Sequence, residues 1–373
     1  MPTTIGVLRE ATPNETRVAL VPEVAAKFRA AGARVLVERG AGLAAQFPDA
    51  TYKDADFADS AAAVLAAADV LVKVQPPSLD EIARLKPGAV VVSFVYGHQR
   101  MDVVRALRDG RITAFAMELI PRISRAQSMD ALSSQAATAG YKAVLIAAMA
   151  MDKFLPMLTT AAGTIRPAQV LVIGAGVAGL QAVATARRLG AIVEAYDVRS
   201  ATREQIKSLG AKFVETGVSA EGAGGYAREL TEEEKAKQQE VLEKHIAAAD
   251  AVVSTAAVPG RAAPRIIRKE AVARMKPGAV IVDIAAETGG NCELTQAGGT
   301  IVVHGVKVVG PVNLPAQLPY HASEMYARNI YNFLKPALAP DGALAIDWND
   351  EVFAQSVLTH DGQIRHEPTA KLP

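Results

Sequence analysis

The chain has 373 residues, of which 50% are hydrophobic and 21% charged, and its formal net charge is +1. This length suits two domains of ordinary size, each able to bury a core. A net charge near zero excludes the basic surface that is typical of nucleic-acid binding. The single cysteine, Cys292, excludes an internal disulfide and fits a reducing compartment.

Short runs of Val, Ile and Leu alternate along the chain with alanine-rich stretches of helical spacing, which predicts βαβ units and parallel sheets. In chain order, strands are expected at Thr4–Leu8, Arg34–Glu38, Val70–Val74, Ala89–Val95, Ile112–Phe115, Val170–Ile173, Ile192–Tyr196, Ala251–Ser254, Ala279–Ile284 and Val306–Val309. Helices are expected at Val21–Ala31, Ala61–Ala67, Val103–Arg108, Leu180–Leu189 and Thr231–His245, with bridging helices at Asp130–Lys153 and His321–Leu334. The Asp-Gly pair at 361–362 predicts a hairpin over 356–365, where the chain returns to the first domain.

One sequence block occurs twice. Leu85–Val92 nearly repeats as Met275–Val282, and Ala66–Asp69 recurs as Ala247–Asp250. The repeat indicates an α/β protein of two related, doubly wound parallel-sheet domains, one formed by 1–133 plus 321–373 and the other by 134–320. Chance reuse of a common helix-to-strand turn is the alternative. A ligand site is expected in a cleft over the carboxyl ends of both sheets.

The second predicted domain opens with a dinucleotide-binding pattern. Gly174, Gly176 and Gly179 directly follow the Val170–Ile173 run and form Gly-x-Gly-x-x-Gly before a helix. Asp197 ends the next predicted strand, where a carboxylate can hold both ribose hydroxyls and repel a 2′-phosphate. The pattern therefore favours NAD(H) over NADP(H), although Arg199 argues the other way. An ordinary glycine-rich turn is the alternative.

Two further segments are rich in candidate ligand-binding residues. Arg122–Ser134 is a polar run that could hold a nicotinamide and its ribose through Arg, Gln and Ser donors, or could be a solvated linker with Ser128 or Asp130 as a helix cap. The glycine-rich loop 221–226 could be a lid that moves Tyr226 over a cofactor, or an ordinary surface loop.

Candidates for general acid–base chemistry are few. No pair of the six histidines has metal-ligand spacing, so no metal site is expected. Lys73 ends a predicted strand and is expected to face the cleft, and His98 follows another strand. Hydride transfer between two nicotinamides needs positioning rather than an acid or a base, which is consistent with this scarcity.

The motifs resemble those of the NAD(H)-binding components of proton-translocating NAD(P) transhydrogenases, whose nearest relatives are the alanine dehydrogenases. The resemblance covers essentially the whole chain. It is carried by Gly6–Glu10, Glu15–Pro22, Pro121–Asp130, Gly174–Ala182, Asp197–Arg199 and Gly224–Ala227. The segment Pro121–Asp130 is specific to the transhydrogenase branch.

This resemblance implies two Rossmann-like domains and a homodimer. It implies direct hydride transfer from NADH to NADP⁺ held on another component, coupled to proton translocation by separate membrane subunits, and hence a cytoplasmic protein held peripherally at the inner membrane. Catalytic positioning would fall to Arg122, Gln127, Asp130, Ser133 and Tyr226. Cofactor contacts would come from Arg122, Gln127, Ser128, Met129, Asp130, Ser133, Gly174, Gly176, Val177, Gly179, Asp197, Val198, Arg199, Gly225 and Ala257.

Two alternatives remain open from the sequence. Alanine dehydrogenases have a His-Leu motif where this chain has Tyr96, with His98 two residues out of register, and a catalytic Asp where this chain has Glu287. Lys73, by contrast, matches their substrate-binding lysine. Reductive amination needs a proton donor, so these departures argue against that activity. A non-catalytic NAD(H) sensor is the other alternative.

Overall fold

The computed structural model describes residues 2–220, 228–257 and 260–372. The chain forms two compact units, one of Met1–Gln135 with Pro315–Pro373 and one of Ala136–Leu314. The division falls within a helix, α5 (Ala131–Ala150). The domain limits inferred from the sequence, after 133 and after 320, stay predictions.

The first unit is built on a mixed sheet of eight described strands. These are β1 (Thr4–Val7), β2 (Arg34–Glu38), β3 (Asp56–Ala58), β4 (Val70–Val72), β5 (Val90–Ser93), β6 (Thr113–Ala116), β16 (Val357–His360) and β17 (Gln363–Ile364). Its helices are α1 (Pro22–Ala30), α2 (Ala61–Ala67), α3 (Leu79–Ala83), α4 (Met101–Asp109), α10 (Pro319–Leu334), α11 (Glu351–Ser356) and α12 (Glu367–Ala370).

The strand order of this sheet is β17-β16-β6-β5-β4-β1-β2-β3. The six strands from β6 to β3 are parallel, whereas β16 pairs antiparallel with β6 and β17 antiparallel with β16. The parallel part has the doubly wound order, in which the chain reverses its direction of growth beside β1. The predicted C-terminal hairpin is confirmed, and its turn places Asp361 and Gly362 at φ +47° and +72°.

The second unit has a sheet of the same kind. Its strands are β9 (Gln169–Ile173), β10 (Ile192–Tyr196), β11 (Lys212–Phe213), β12 (Ala251–Ser254), β13 (Val280–Asp283), β14 (Thr300–Val303) and β15 (Val306–Val309), beside a separate hairpin of β7 (Leu158–Thr160) and β8 (Gly163–Ile165). The sheet order is β11-β10-β9-β12-β13-β15-β14, with only β14 antiparallel among these strands. Its helices are α6 (Val177–Arg188), α7 (Arg203–Ser208), α8 (Glu232–Ala248) and α9 (Lys269–Ala273).

All ten predicted strands are present, with small shifts at their ends. They are apolar and buried because helices cover both faces of each parallel sheet. The sequence did not predict the short edge strands β3, β11 and β14 or the β7–β8 hairpin. These segments lack a long apolar run, so local pattern carries little signal there.

The repeated block occupies equivalent places in the two sheets. Asp69 accepts a hydrogen bond from the backbone N–H of Thr4 and pairs with Lys86 at 2.8 Å. Asp250 in the same way accepts from the N–H of Gln169 and pairs with Lys276 at 3.1 Å. In each unit the aspartate thus ties the first parallel strand to the turn before the fifth. This shared arrangement supports two related domains over chance reuse of a turn.

Candidate functional site

The glycine pattern forms a tight strand-to-helix turn between β9 and α6. Gly174 adopts φ +92°, a conformation that side chains disfavour. A Cβ at Gly179 would overlap the carbonyl oxygen of Gly174 and lie 2.7 Å from its carbon, whereas a Cβ at Gly176 would have no atom within 4 Å. Gly179 therefore allows close helix–strand packing, while Gly176 leaves the backbone open to a ligand at the helix N-terminus. This is the division of roles that a pyrophosphate site requires.

Asp197 follows β10 directly and lies beside this turn. Its side chain is buried, with 6% exposed, and its Oδ2 accepts a 2.7 Å hydrogen bond from the N–H of Ala175 within the glycine turn. Arg199 folds back on the same carboxylate and donates from Nε to Oδ1 at 2.8 Å and from Nη2 to Oδ2 at 2.7 Å. The expected ribose-binding carboxylate is therefore held by both the turn and the arginine.

The loop after β12 borders the same turn. Thr255 donates its hydroxyl hydrogen to the carbonyl oxygen of Gly174 at 3.0 Å. Asn291 is fully buried; its Oδ1 accepts from Ser254 and from the N–H of Ala256, and its Nδ2 donates to the carbonyl oxygens of Ala256 and Pro264. These bonds fix the backbone leading to Ala257, which is exposed. The role of Asn291 was not predicted from the sequence.

The polar segment lies in the first unit as a short 3₁₀ helix, Ser124–Met129, followed by α5. Four of its predicted ligand-binding residues line one cavity of about 270 Å³, together with Pro121, Ile123 and Ala126. They are Arg122, Gln127, Asp130 and Ser133. Asp130 also caps α5, since its two oxygens accept from the N–H and the hydroxyl of Ser133 at 2.9 and 2.5 Å. Capping and cavity lining therefore coexist here. The side chain of Met129 is buried in the core.

Long-range hydrogen bonds hold this segment in place, so it is not a loose linker. The carbonyl oxygen of Ser128 accepts from the side-chain amides of Asn329 and Asn332 at 2.9 and 3.1 Å. Asn329 also accepts from the hydroxyl of Ser134 at 2.7 Å. Arg125 forms an ion pair with Asp350, the N-cap of α11. The two asparagines were not predicted from the sequence, although their spacing of three on a helix with an apolar face was a usable signal.

A partly buried carboxylate lies just before the segment. Glu118 accepts hydrogen bonds from the backbone N–H groups of Val95 and Tyr96 at 3.1 and 2.5 Å. Burial raises the pKa of Glu118 to about 7, against the lowering effect of these bonds. Tyr96 adopts φ +51° and stacks on Phe94. Glu118 thus fixes the turn that carries Tyr96.

Lys73 is buried rather than facing an opening, with only 2% exposed. Its ammonium lies 3.0 Å from Glu81 and 3.5 Å from Glu10. Nearby, Arg17 forms a buried ion pair with Glu15 at 2.6 Å. Each cation of this cluster therefore has carboxylate partners within the fold.

The remaining candidates do not assemble into a reaction centre. His98 and Glu287 are exposed, and Glu287 accepts from the backbone N–H of Asn313 at 3.3 Å. Gly225 and Tyr226, with the proposed lid, lie outside the described residues. Within the described ranges, no three His, Cys, Asp or Glu side chains are grouped as metal ligands.

Comparison with known proteins identifies the family. The doubly wound order and the glycine turn define a dinucleotide-binding type of α/β protein. Residues 6–139 match the N-terminal domain of the alanine dehydrogenase/PNT family and residues 143–367 match its C-terminal domain, so the chain belongs to this family. The resemblance seen in the sequence is thereby confirmed.

Relatives from several bacteria are similar over nearly the whole chain. The chain is 48% identical to an NAD(P) transhydrogenase alpha subunit polypeptide of Rhodospirillum rubrum, covering 97% of each chain. It is 43% identical to NAD(P) transhydrogenase subunit alpha of Haemophilus influenzae, over 96% of this chain and 71% of that one. Alanine dehydrogenase of Mycobacterium tuberculosis is 31% identical over 98% of this chain and 95% of its own length.

Solved structures confirm the expected α/β fold. A transhydrogenase from Sinorhizobium meliloti superposes with a TM-score of 0.86 at 42% identity, covering 98% of this chain and 99% of that one. An L-alanine dehydrogenase, at 24% identity and a TM-score of 0.82, shows the same fold over 98% of both chains. Across the described residues, no helix has the length and apolar character needed to cross a membrane.

Proposed function

We propose that this protein is the NAD(H)-binding component of a proton-translocating NAD(P) transhydrogenase. In this proposal it binds NADH and passes hydride directly to NADP⁺ held on a partner component. Membrane subunits couple the transfer to proton translocation and hold the protein at the cytoplasmic face of the inner membrane. The similarity to transhydrogenase alpha subunits, at 43–48% identity, supports this choice within the family.

The glycine turn is the observation that carries the proposal. Gly176 leaves open space beside the N-terminus of α6, where free N–H groups and the positive end of the helix dipole favour a pyrophosphate. Asp197 lies next to this turn at the end of β10, in the position of a ribose-binding carboxylate. The residues present therefore fit a dinucleotide, which supplies the hydride when it is bound.

The Arg122–Ser133 segment would position the nicotinamide. Arg122 and Gln127 are exposed donors lining the cavity of about 270 Å³, and Asp130 and Ser133 present further polar atoms there. Bonds from α10 hold the backbone that carries these side chains. A fixed segment suits hydride transfer because misplacing a reacting group by about 1 Å can slow a reaction about 100-fold.

A reconstitution assay tests the proposal. The protein is mixed with a soluble NADP(H)-binding transhydrogenase component, and reduction of a nicotinamide analogue is followed. We expect transfer that requires both proteins. Arg122→Ala and Gln127→Ala should slow transfer far more than they weaken NADH binding, while Arg105→Ala, an exposed arginine on α4, should change neither. Failure to bind NADH would refute the proposal. An equal loss of binding and rate would refute only the positioning role.

The β7–β8 hairpin supports the homodimer as an element of this proposal. All residues of its two strands are exposed, and an isolated two-stranded hairpin is marginally stable in water. Large apolar side chains are exposed on the hairpin and directly before it, including Ile165 at 47% and Met157 at 64%. A surface of this kind is typical of a protein interface. We assign a second copy of this chain as its occupant.

Light scattering on the purified protein checks this assignment. Met157→Asp and Ile165→Asp should convert a dimer into a monomer. Val302→Asp is the matched control because Val302 is also 64% exposed but lies on edge strand β14. A wild-type monomer, or loss of the dimer in the control alone, would contradict the assignment.

Alanine dehydrogenase activity is the alternative, favoured by 31% identity to such an enzyme. Three points oppose it: the resemblance places Tyr96 where such enzymes have a motif histidine, His98 is exposed, and Lys73 has two carboxylate partners. We expect no amination of pyruvate with NADH and ammonia by the isolated protein. Turnover at ~1–1000 s⁻¹, the range of ordinary enzymes, would establish the alternative. NADH binding without transfer in the presence of the partner would indicate a sensor.

A further inference from the structure

The pair of Asp197 and Arg199 has a consequence for cofactor choice beyond ribose binding. Three donors of Arg199 contact this carboxylate: Nε and the backbone N–H reach Oδ1 at 2.8 and 2.9 Å, and Nη2 reaches Oδ2 at 2.7 Å. The backbone of Arg199 is fixed in turn, since its carbonyl oxygen accepts from the hydroxyl of Thr202 at 2.8 Å. The guanidinium is therefore held against the Asp197 carboxylate, which is expected to bind the ribose hydroxyls.

The chemistry of the guanidinium suggests a second role. Arginine binds phosphate through two parallel hydrogen bonds in the same geometry as it binds a carboxylate. In dinucleotide sites of this type, a carboxylate at the end of the second strand selects NAD(H), and a nearby arginine accommodates the 2′-phosphate of NADP(H). Here both groups are present and are bonded to each other.

We propose that Arg199 is a latent 2′-phosphate-binding residue that Asp197 holds in an ion pair. The pair, rather than Asp197 alone, then sets the choice between NADH and NADPH. The inference rests on the proposed NAD(H) site and concerns its specificity.

The pair also changes the local charge. With Arg199 present, the carboxylate and guanidinium together are neutral, so a 2′-phosphate meets an occupied arginine rather than a bare negative charge. Removing Arg199 leaves the negative charge of Asp197 uncompensated beside the ribose. Repulsion between like charges at short range then makes NADPH binding weaker, not stronger. If Arg199 only weakened NADH binding, its removal would not weaken NADPH binding.

A cycle of Asp197→Asn, Arg199→Gln and the double variant tests the proposal. Each protein is titrated with NADH, NADPH, 5′-ADP and 2′,5′-ADP by fluorescence or calorimetry. Asp197→Asn keeps the side-chain volume and an acceptor for Ala175 while releasing the guanidinium. We expect it to bind NADPH and 2′,5′-ADP about tenfold tighter or more than wild type, the size of one added charge-assisted contact. The gain should disappear in the double variant.

Arg199→Gln alone should weaken NADPH binding by a larger factor than it weakens NADH binding. This arm keeps the proposal testable if Asp197→Asn fails to fold, which thermal melting of each variant reveals. The proposal is overturned if the double variant keeps the NADPH gain, if folded Asp197→Asn shows no gain, or if Arg199→Gln binds NADPH more tightly. Failure of wild type to bind NADH would instead overturn the proposed function.

Discussion

Substituting alanine at two glycines three residues apart should separate folding from cofactor binding. At Gly179 the new Cβ would overlap the carbonyl oxygen of Gly174 and lie 3.1 Å from Oγ1 of Thr255. The overlapped atom is backbone, so β9 and α6 must move apart. At Gly176 the Cβ meets nothing within 4 Å, and the φ of −73° is ordinary for alanine.

The magnitudes follow from these environments. Overpacking costs about 1–3 kcal/mol, and a backbone clash belongs at the upper end, so Gly179→Ala should lower the free energy of unfolding by about 3 kcal/mol. The gain in helix propensity, about 1 kcal/mol, does not offset this clash. Gly176→Ala replaces an N-cap glycine and should cost at most about 1 kcal/mol. For a unit of this size the melting temperature should fall by roughly 6–12 °C in the first variant and by at most roughly 4 °C in the second.

Binding should show the opposite ranking. A methyl group at Gly176 projects into the space where the pyrophosphate approaches, and a clash of about 1–3 kcal/mol there weakens binding by roughly 5- to 150-fold. Differential scanning calorimetry and NADH titration on both variants provide the comparison. A Gly179→Ala variant that melts like wild type, or a Gly176→Ala variant that binds NADH as tightly as wild type, would contradict these assignments.

Two further predictions concern the first unit. Asn329 is 7% exposed and forms hydrogen bonds with both Ser128 and Ser134. Asn329→Ala should therefore lower the free energy of unfolding by about 1–3 kcal/mol, measured by urea unfolding. It should also slow hydride transfer more than it weakens NADH binding. Asn332→Ala, which removes one exposed bond to Ser128, should cost less, and an equal effect would contradict this ranking. Folding raises the pKa of Glu118 from 4.5 to about 7. Between pH 4.5 and 7 the folded protein therefore keeps a proton that the unfolded chain has lost. Stability from this group is therefore lost as pH rises from about 4.5 to 7, by about 3 kcal/mol, and Glu118→Gln should flatten that slope in urea unfolding at pH 5 and pH 8.

Features encoded by neighbouring residues could be predicted from the sequence. The strands were identifiable because their apolar runs are continuous, and the glycine turn because its spacing follows directly after one of them. Tyr326, Ile330 and Phe333 lie at helical spacing on α10, and all three are fully buried, as one apolar face of a helix should be. The capping role of Asp130 was likewise a local signal, and Ser133 completes it three residues later.

Contacts between distant segments could not be predicted in this way. Ser128 and Asn329 lie 201 residues apart, and no local pattern indicates that they bond. Lys73 is buried beside Glu10, which follows a different strand. The sequence alone did not indicate this contact, so it predicted a lysine that faces a cleft. The raised pKa of Glu118 also depends on its surroundings, because burial is a property of the folded chain.

The alternation of strands and helices, the glycine turn and the carboxylate beside it therefore follow from the amino-acid sequence. Hydrophobic periodicity and glycine conformation act over a few residues and are legible locally. The pairing of β16 with β6 and the bonds that fix the Arg122–Ser133 segment arise only when distant parts of the chain fold together. These outcomes depend on which side chains meet when the sheets close, because hydrogen bonds and ion pairs act only at contact distance.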